Sequence, residues 1–276
     1  MTAPSDTYVS YLLSRPLPEV WNIFLLGLAR LAPAISLAPF LGGKTLPASL
    51  NLGLSISVVF IFLPFLVVHT SASMALDITF LLFLIKEVII GAMLGFIIAI
   101  PFYFAQGAGA LIDHQRGAQS LQVMDPSTQM QTSATGIFYN DMMLITFFFI
   151  GGPIIFFDGV FESYRILPID KFFPPQFFRE SYPFWVSIFG MITTVLTITL
   201  QLCSPSLISM LLSDLFLGIA NRMAPQVQIS FLLWAFKAFV GIAMLWASWW
   251  LVFRQLDVQA ISWIKVFQKM IQQLNP

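Results

Sequence analysis

The sequence predicts an all-α, polytopic membrane protein built from kinked helices and helical hairpins. Of its 276 residues, 58% are hydrophobic and only 9% are charged, whereas soluble domains carry about 25% charged residues. So few charges cannot cover a soluble globule of this size. The 29 Phe and 7 Trp residues suit lipid-facing surfaces and interfacial belts, and several uncharged runs reach the roughly 20 residues that one helix needs to cross a bilayer.

The first two apolar segments are residues 20–43 and 44–77. Arg30, Pro33 and Pro39 interrupt the first one, and proline breaks or kinks a helix because it removes a donor and clashes with the preceding turn. The second segment is long enough for one span with a turn at each end. We therefore expect a first helix that is broken or kinked and is not a simple membrane anchor.

The third apolar segment, residues 78–105, has an adjacent cation and anion near its middle. Gly91, Gly95 and Ala99 follow these charges at intervals of one helical turn. Such a stripe of small residues allows another helix to approach closely, although small residues also align by chance. The segment is predicted to pack mainly on protein.

Residues 113–141 are mostly polar or small and cannot face lipid, so they form a loop or are buried in protein. The next apolar run, residues 142–157, is short and contains two glycines and a proline, which makes a straight spanning helix doubtful. Residues 158–180 are charged and contain proline, and we expect a connection there.

The second half has a charge-free run at residues 181–213, with Pro205 marking a kink or turn. Residues 215–236 are interrupted by an arginine and a proline, and residues 238–253 are apolar. The pattern predicts separate helical segments.

The tail, residues 254–276, has the spacing of an amphipathic helix that packs on an interface or a partner. It has three basic residues and one acidic residue, whereas residues 158–180 have three basic and four acidic ones, so the positive-inside rule predicts a cytoplasmic tail. Its apolar residues recur at intervals of three and four: Ala260, Trp263, Ile264, Phe267, Met270, Ile271 and Leu274.

The sequence contains no nucleophile elbow, phosphate-binding glycine loop, paired-histidine zinc motif or Rossmann fingerprint. His69 and His114 lack a second ligand at metal-binding spacing. We therefore predict that the protein is not an enzyme and has no catalytic residue, metal site or cofactor. The formal net charge is zero, with no basic patch to neutralise phosphates, so nucleic acid is not an expected partner.

Ionisable residues inside apolar helices indicate functional or assembly contacts more clearly than the two histidines do. A charge at the bilayer centre costs roughly 3 kcal/mol or more unless it is paired or hydrated. Lys86 and Glu87 are adjacent, so they point about 100° apart, and each is expected to meet a partner on another helix or subunit. The charges either form ion pairs that fix helix register or contact a transported substrate. The candidates are Arg30, Lys86, Glu87, Asp214, Arg222 and Lys237.

The most informative stretch is residues 107–117, GAGALIDHQRG. Gly107 and Gly109 allow close backbone approach or a helix break, and an acid and a base follow. One interpretation is the start of a constricting or gating loop whose shape is held by Asp113 and Arg116. The other is an ordinary helix end satisfied by polar side chains.

This stretch resembles the G-x-x-I-D-x-Q-R-G region of the FliR/SctT family, which includes the YscT and SpaR proteins. The acid and arginine favour the injectisome type over the flagellar type, whose members usually lack them. Other parts of the chain resemble the family in the same order: Arg30 with Pro33 and Pro39, Lys86-Glu87 with Gly91 and Gly95, Pro101-Phe102, Gly151-Gly152, Ser163-Tyr164 with Pro168, Asp214 to Gly218, Asn221-Arg222 and Ala224-Pro225-Gln226.

The resemblance implies a subunit of the type III secretion export gate in the bacterial inner membrane, through which unfolded secreted proteins pass. It implies SctR-like and SctS-like partners, with SctU-like and SctV-like proteins and membrane lipid nearby. It also implies one membrane-associated domain that looks like a fusion, with residues 1–175 SctR-like and residues 176–276 an SctS-like hairpin plus the tail.

The same resemblance implies that the loop at about residues 107–131 helps to plug the closed channel. Asp113, Gln115 and Arg116 would then shape the gate, with Gly107 and Gly109 at its start, while Lys86 and Glu87 would be assembly contacts. Two other functions stay open. One is an ion- or proton-coupled small-molecule transporter that uses intramembrane charges as a relay, and the other is a scaffold that does not line the channel.

Overall fold

A computed structural model of the protein describes residues 15–42, 46–70, 76–117, 123–124, 131–223 and 229–274. It confirms the all-α prediction. Two short 3-10 helices, Pro39–Leu41 and Pro175–Phe178, and an antiparallel two-residue ladder of β1 (Val123–Met124) with β2 (Gln131–Thr132) accompany the helices. The α-helices in the described residues are α1 (Leu17–Leu37), α2 (Ala48–His69), α3 (Ile78–Gln115), α4 (Ala134–Phe149), α5 (Gly152–Ile166), α6 (Pro183–Met223), α7 (Ile229–Ala247) and α8 (Trp249–Gln272).

Four helices in the described part of the chain, α1, α2, α3 and α6, are long and apolar enough to cross a membrane. Two further pairs pass the same test but are bent, α4 with α5 by 71° and α7 with α8 by 60°. The number of candidate spans is therefore four, or up to six if each bent pair is one broken span. The chain is a multi-pass membrane protein, and the doubt about a straight helix over residues 142–157 is confirmed.

The chain forms two compact units. The first unit comprises residues 1–99, 151–189 and 263–276. Within it, α1 packs on α2, where Gly27 leaves room for Leu66 and Val59. Helix α1 continues through Pro33 and ends at Leu37, before Pro39, so the predicted interruption by proline ends the helix at Pro39 and not at Pro33. Proline is tolerated inside membrane helices because neighbouring groups can satisfy the main-chain groups that it leaves unpaired.

The prediction of an amphipathic helix in the tail is confirmed, because α8 covers most of the tail and all seven predicted apolar residues are buried. In the first unit the indole Nε1 of Trp263 donates to the Ile97 carbonyl at 2.8 Å. Phe267 and Ile271 pack against Gly159, where an added Cβ would come within 2.5 Å of the phenyl ring. This apolar face therefore packs on its own chain.

The second unit comprises residues 100–150 and 190–262. Helix α6 contains the charge-free run at residues 181–213 and continues through Pro205 without a turn. It also passes Asp214 and ends at Met223, so the predicted boundary between the runs at residues 181–213 and 215–236 is wrong. The hydroxyl of Ser209 donates to the Pro205 carbonyl at 2.9 Å, and water does not compete for helix hydrogen bonds in an apolar environment. The possible break at Pro225 lies outside the described residues.

The expected connection at residues 158–180 begins later than predicted, because α5 extends to Ile166. Charged residues in this helix suggested a loop, but they occupy its solvent-accessible side. Arg165 and Glu162, for example, are about half exposed and pair at 3.2 Å.

Candidate functional site

The first unit contains a buried ionic cluster, formed by Arg30, Lys86 and Glu87. The side chains of Arg30 and Glu87 are fully buried. Arg30 Nε donates to Glu87 Oε2 at 2.5 Å and Arg30 Nη2 donates to Oε1 at 2.9 Å. This bidentate geometry is the strongest form of an arginine–carboxylate contact. The expectation that Glu87 meets a partner on another helix is confirmed.

The remaining donors of Arg30 fasten α1 to α5 and to the residues that follow it. Nη1 donates to the Ser163 hydroxyl at 3.1 Å and Nη2 to the Leu167 carbonyl at 2.9 Å. The guanidinium also lies 4.1 Å from the centre of the Tyr164 ring, whose hydroxyl donates to the Gly27 carbonyl. Sequence reasoning missed Ser163 and Tyr164 as partners, although both stood in a motif of the family resemblance.

Lys86 corrects one prediction. Adjacent helical residues were expected not to meet, yet Lys86 Nζ lies 2.7 Å from Glu87 Oε1. The 100° separation applies to the Cα–Cβ directions, and two long side chains can still converge at their tips. Lys86 Nζ also donates to the carbonyls of Pro168, Ile169 and Lys171 at 2.9–3.0 Å. Carbonyl oxygens thus offset the second positive charge of the cluster.

The predicted small-residue stripe positions this cluster. A Cβ added to Gly91 would overlap the Arg30 carbonyl, and one added to Gly95 would lie 2.8 Å from the Ala34 carbonyl oxygen. The close helix contact is confirmed for both glycines. It brings the two main chains near enough for the short Glu87 side chain to reach Arg30.

The second unit contains a second polar group, the loop-base cluster, formed by Asp113, Arg116 and Thr135. Thr135 donates to Asp113 through its amide N–H at 2.9 Å and through its hydroxyl at 2.6 Å. Arg116 Nη2 lies 2.7 Å from Asp113 Oδ1. Asp113 is 3% exposed. One buried carboxylate therefore joins the end of α3 to the start of α4 and closes the base of residues 116–133.

Asp113 acts here as a cap for α4. The first amides of a helix have no intrahelical partner, and acceptor side chains satisfy them. Ser133 is the N-cap residue, and its hydroxyl accepts from the Gly136 amide at 2.9 Å. Asp113 accepts from the preceding amide, so two acceptors fix the direction in which α4 leaves the loop.

The glycines of this region do not break α3, and Gly109 and Gly136 allow close helix packing. A Cβ on Gly109 would overlap the Thr135 carbonyl, and one on Gly136 would lie 2.9 Å from the Gln106 carbonyl oxygen. Gly107 has ordinary contact distances, 3.7 Å from an added Cβ to Thr199. The prediction that the loop begins at Gly107 is wrong, because α3 continues to Gln115.

A further contact group adjoins α3 in the second unit. Lys237 Nζ lies 2.8 Å from Asp214 Oδ2, and Gln115 Nε2 donates weakly to the same oxygen at 3.4 Å. The Arg116 stem passes 3.7 Å from a Cβ built on Gly241. Three predicted residues of this unit, Gln115, Asp214 and Lys237, thus meet beside the end of α3, whereas Arg222 is exposed in the last turn of α6. In the described ranges, no three His, Cys, Asp or Glu side chains form a group that could hold a metal ion.

The fold and its internal ionic clusters define the class, a multi-pass α-helical membrane protein whose charges fasten helices to each other. The chain matches the family "Bacterial export proteins, family 1" over residues 21–260. It therefore belongs to this family, the FliR/SctT family of type III secretion.

Individual relatives agree with this assignment. The chain is 34% identical over 169 residues to Yop proteins translocation protein T of Yersinia pestis, which covers 60% of this chain and 62% of that protein. It is 32% identical over 203 residues to Surface presentation of antigens protein SpaR of Shigella sonnei, and this match covers 72% of this chain and 74% of the Shigella protein. Flagellar biosynthetic protein FliR of Bacillus subtilis is 27% identical to it, and this match covers 76% of this chain and 80% of the Bacillus protein. The match thus spans less than two thirds of the Yersinia protein.

Proposed function

We propose that this chain is a subunit of the type III secretion export gate in the bacterial inner membrane and forms part of the channel for unfolded secreted proteins. Family membership supports the export role. The observation that carries the proposal is the loop-base cluster, because Asp113 holds both ends of residues 116–133 together. The channel plug extends from this fixed base at the end of α3 and the start of α4.

In this proposal the two clusters have different roles. The loop-base cluster, helped by Gln115, shapes the gate, so the gating segment begins at Arg116 and not at Gly107. The buried ionic cluster fixes the helix register that assembly with other subunits needs. Residues 1–175 are the SctR-like part and residues 176–276 the SctS-like hairpin, with the tail on the cytoplasmic side.

The proposed partners are SctR-like and SctS-like subunits, with SctU-like and SctV-like proteins and lipid around them. A small-molecule transporter is the other candidate, and the contacts of Glu87 argue against it. A proton or ion relay needs a carboxylate that can exchange its cation. Glu87 is fully buried between Arg30 and Lys86, and removing one partner of a buried pair costs about 3–5 kcal/mol.

The test is Arg116→Gln in a strain that also expresses the SctR-like and SctS-like subunits. We expect the tagged variant to copurify with both subunits but to leak small molecules across the inner membrane or secrete abnormally. Arg222→Gln is the matched control, since Arg222 lies outside both clusters. If Arg116→Gln prevents assembly, or secretes and leaks as the control does, the gating role of the cluster is wrong.

A further inference from the structure

A groove on the second unit is lined by residues of α6 and α8 and has a volume of about 540 Å³. Known ligand sites have volumes of about 300–1,000 Å³. Helix α6 contributes Gln201, Ser204 and Pro205, and α8 contributes Leu251, Arg254 and Gln255. The function proposed above does not use this groove.

The lining is amphiphilic. Arg254 is exposed, and no carboxylate in the described part of the chain lies within ion-pair distance of it. Gln255 Nε2 contacts Gln201 Oε1 at 3.5 Å, the longest distance at which a hydrogen bond forms, so these amides remain available to a ligand. Leu251 and Val258, both more than half exposed, give the groove an apolar part. The groove therefore offers a positive charge and amide donors next to hydrocarbon.

Aromatic residues place this groove at the level of a membrane surface. Helix α8 starts with Trp249 and Trp250, one turn before Arg254, and the Trp250 side chain is 71% exposed. Tryptophan is enriched where lipid headgroups meet the hydrocarbon core. Lipid phosphates lie at the same depth, and a guanidinium binds a phosphate through two parallel N–H bonds.

We propose that this groove binds an anionic phospholipid. The lipid phosphate accepts hydrogen bonds from the Arg254 guanidinium and from the amide groups of Gln201 and Gln255. An acyl chain lies along Leu251 and Val258. The ligand anchors the start of α8, which follows the 60° bend after α7, at the membrane surface.

Native mass spectrometry of the full-length chain, purified in mild detergent with any subunits that accompany it, tests the proposal. Palmitoyl-oleoyl-phosphatidylglycerol is titrated into wild type, Arg254→Gln and Arg254→Lys. We expect Arg254→Gln to weaken lipid binding about tenfold, and Arg254→Lys to keep most of the affinity because it keeps the charge. Lys265→Gln is the control, since Lys265 is an exposed cation of α8 that does not line the groove.

Four results would overturn the proposal. They are no lipid binding by the wild type, equal weakening by Arg254→Gln and Lys265→Gln, equal affinity for the zwitterionic lipid phosphatidylcholine, and full competition by inorganic phosphate at millimolar concentration. Cysteine crosslinking from Gln255→Cys to a copurified subunit, in a sample that binds no lipid, would assign the groove to that subunit instead.

Discussion

Glu87→Gln keeps the size of the side chain and removes the negative charge from the buried ionic cluster. Glu87 is fully buried and accepts from Arg30 at 2.5 and 2.9 Å and from Lys86 at 2.7 Å. The amide of glutamine has one acceptor oxygen, and its NH₂ group would face cationic donors. Two buried cations would then lose their counter-charge.

The magnitude follows from the burial of this pair. Breaking a buried ion pair by removing one partner costs about 3–5 kcal/mol, a large part of the roughly 5–15 kcal/mol by which folded domains are stable. Unfolding entropy is about 2.1 cal/mol/K per residue. For a chain of 276 residues, the loss corresponds to a decrease in Tm of about 5–9 °C.

The assay is thermal unfolding of the purified protein in detergent, followed by tryptophan fluorescence. Glu162→Gln is the matched control because Glu162 pairs with Arg165 at 3.2 Å while both side chains are about half exposed. Such surface pairs contribute about 0–1 kcal/mol, so the control is expected to change Tm by less than about 2 °C.

A double-mutant cycle separates the ion pair from general packing. Arg30→Met with Glu87→Gln is expected to cost less than the sum of the two single substitutions, with a coupling of about 2 kcal/mol or more. The reasoning is refuted if Glu87→Gln lowers Tm no more than Glu162→Gln does, or if the two substitutions are additive.

Three further substitutions test the contacts of α3 and α8. Thr135→Val removes the hydroxyl that donates to the Asp113 carboxylate, so proteolysis within residues 116–133 should become several-fold faster. Thr135→Ser keeps the hydroxyl and should keep the wild-type rate. Equal rates in all three proteins would contradict the contact. Gly91→Ala puts a methyl group onto the main chain of α1 and should reduce the yield of monodisperse protein, whereas Gly190→Ala, in open space, should not. Trp263→Phe loses a buried hydrogen bond of 2.8 Å that contributes about 1 kcal/mol, so it should lower Tm by about 2 °C. Trp250→Phe changes an exposed side chain and should leave Tm unchanged. Equal shifts in Tm would exclude the hydrogen bond as the cause.

The sequence predicted best where one physical requirement dominates. The tail alternates apolar and polar residues over many turns, and only one helix face can satisfy that pattern, so its buried residues were found correctly. Glu87 was predicted to meet a partner on another helix or subunit because an unpaired charge in an apolar segment is too costly, but the sequence did not identify Arg30 as that partner. Burial of an apolar helix face and pairing of a charge in an apolar segment are both required, however the other segments of the chain pack.

The sequence predicted less where local and tertiary effects compete. Gly107 and Gly109 fit a helix break as well as close packing, and only the position of α4 against α3 decides between them. Ser163 and Thr135 were missed because a hydroxyl in an apolar helix has no sequence signal. Their partners, Arg30 and Asp113, are 133 and 22 residues away.

Helix α3 uses the same arrangement twice, once in each unit. Glu87 precedes Gly91 by one turn, and Asp113 follows Gly109 by one turn. In each pair the glycine lies against the main chain of the residue whose side chain the carboxylate binds, Arg30 in the first unit and Thr135 in the second.

This arrangement fixes both the distance between α3 and the neighbouring segment and their relative position along the helix axis. The glycine sets how closely the neighbouring segment approaches, because only a residue without Cβ fits there. The carboxylate sets the position along the helix axis, because a shift of one turn, about 5.4 Å, would leave it buried without its donor. A sliding motion of α3 against either neighbour would therefore have to break a buried charged contact first.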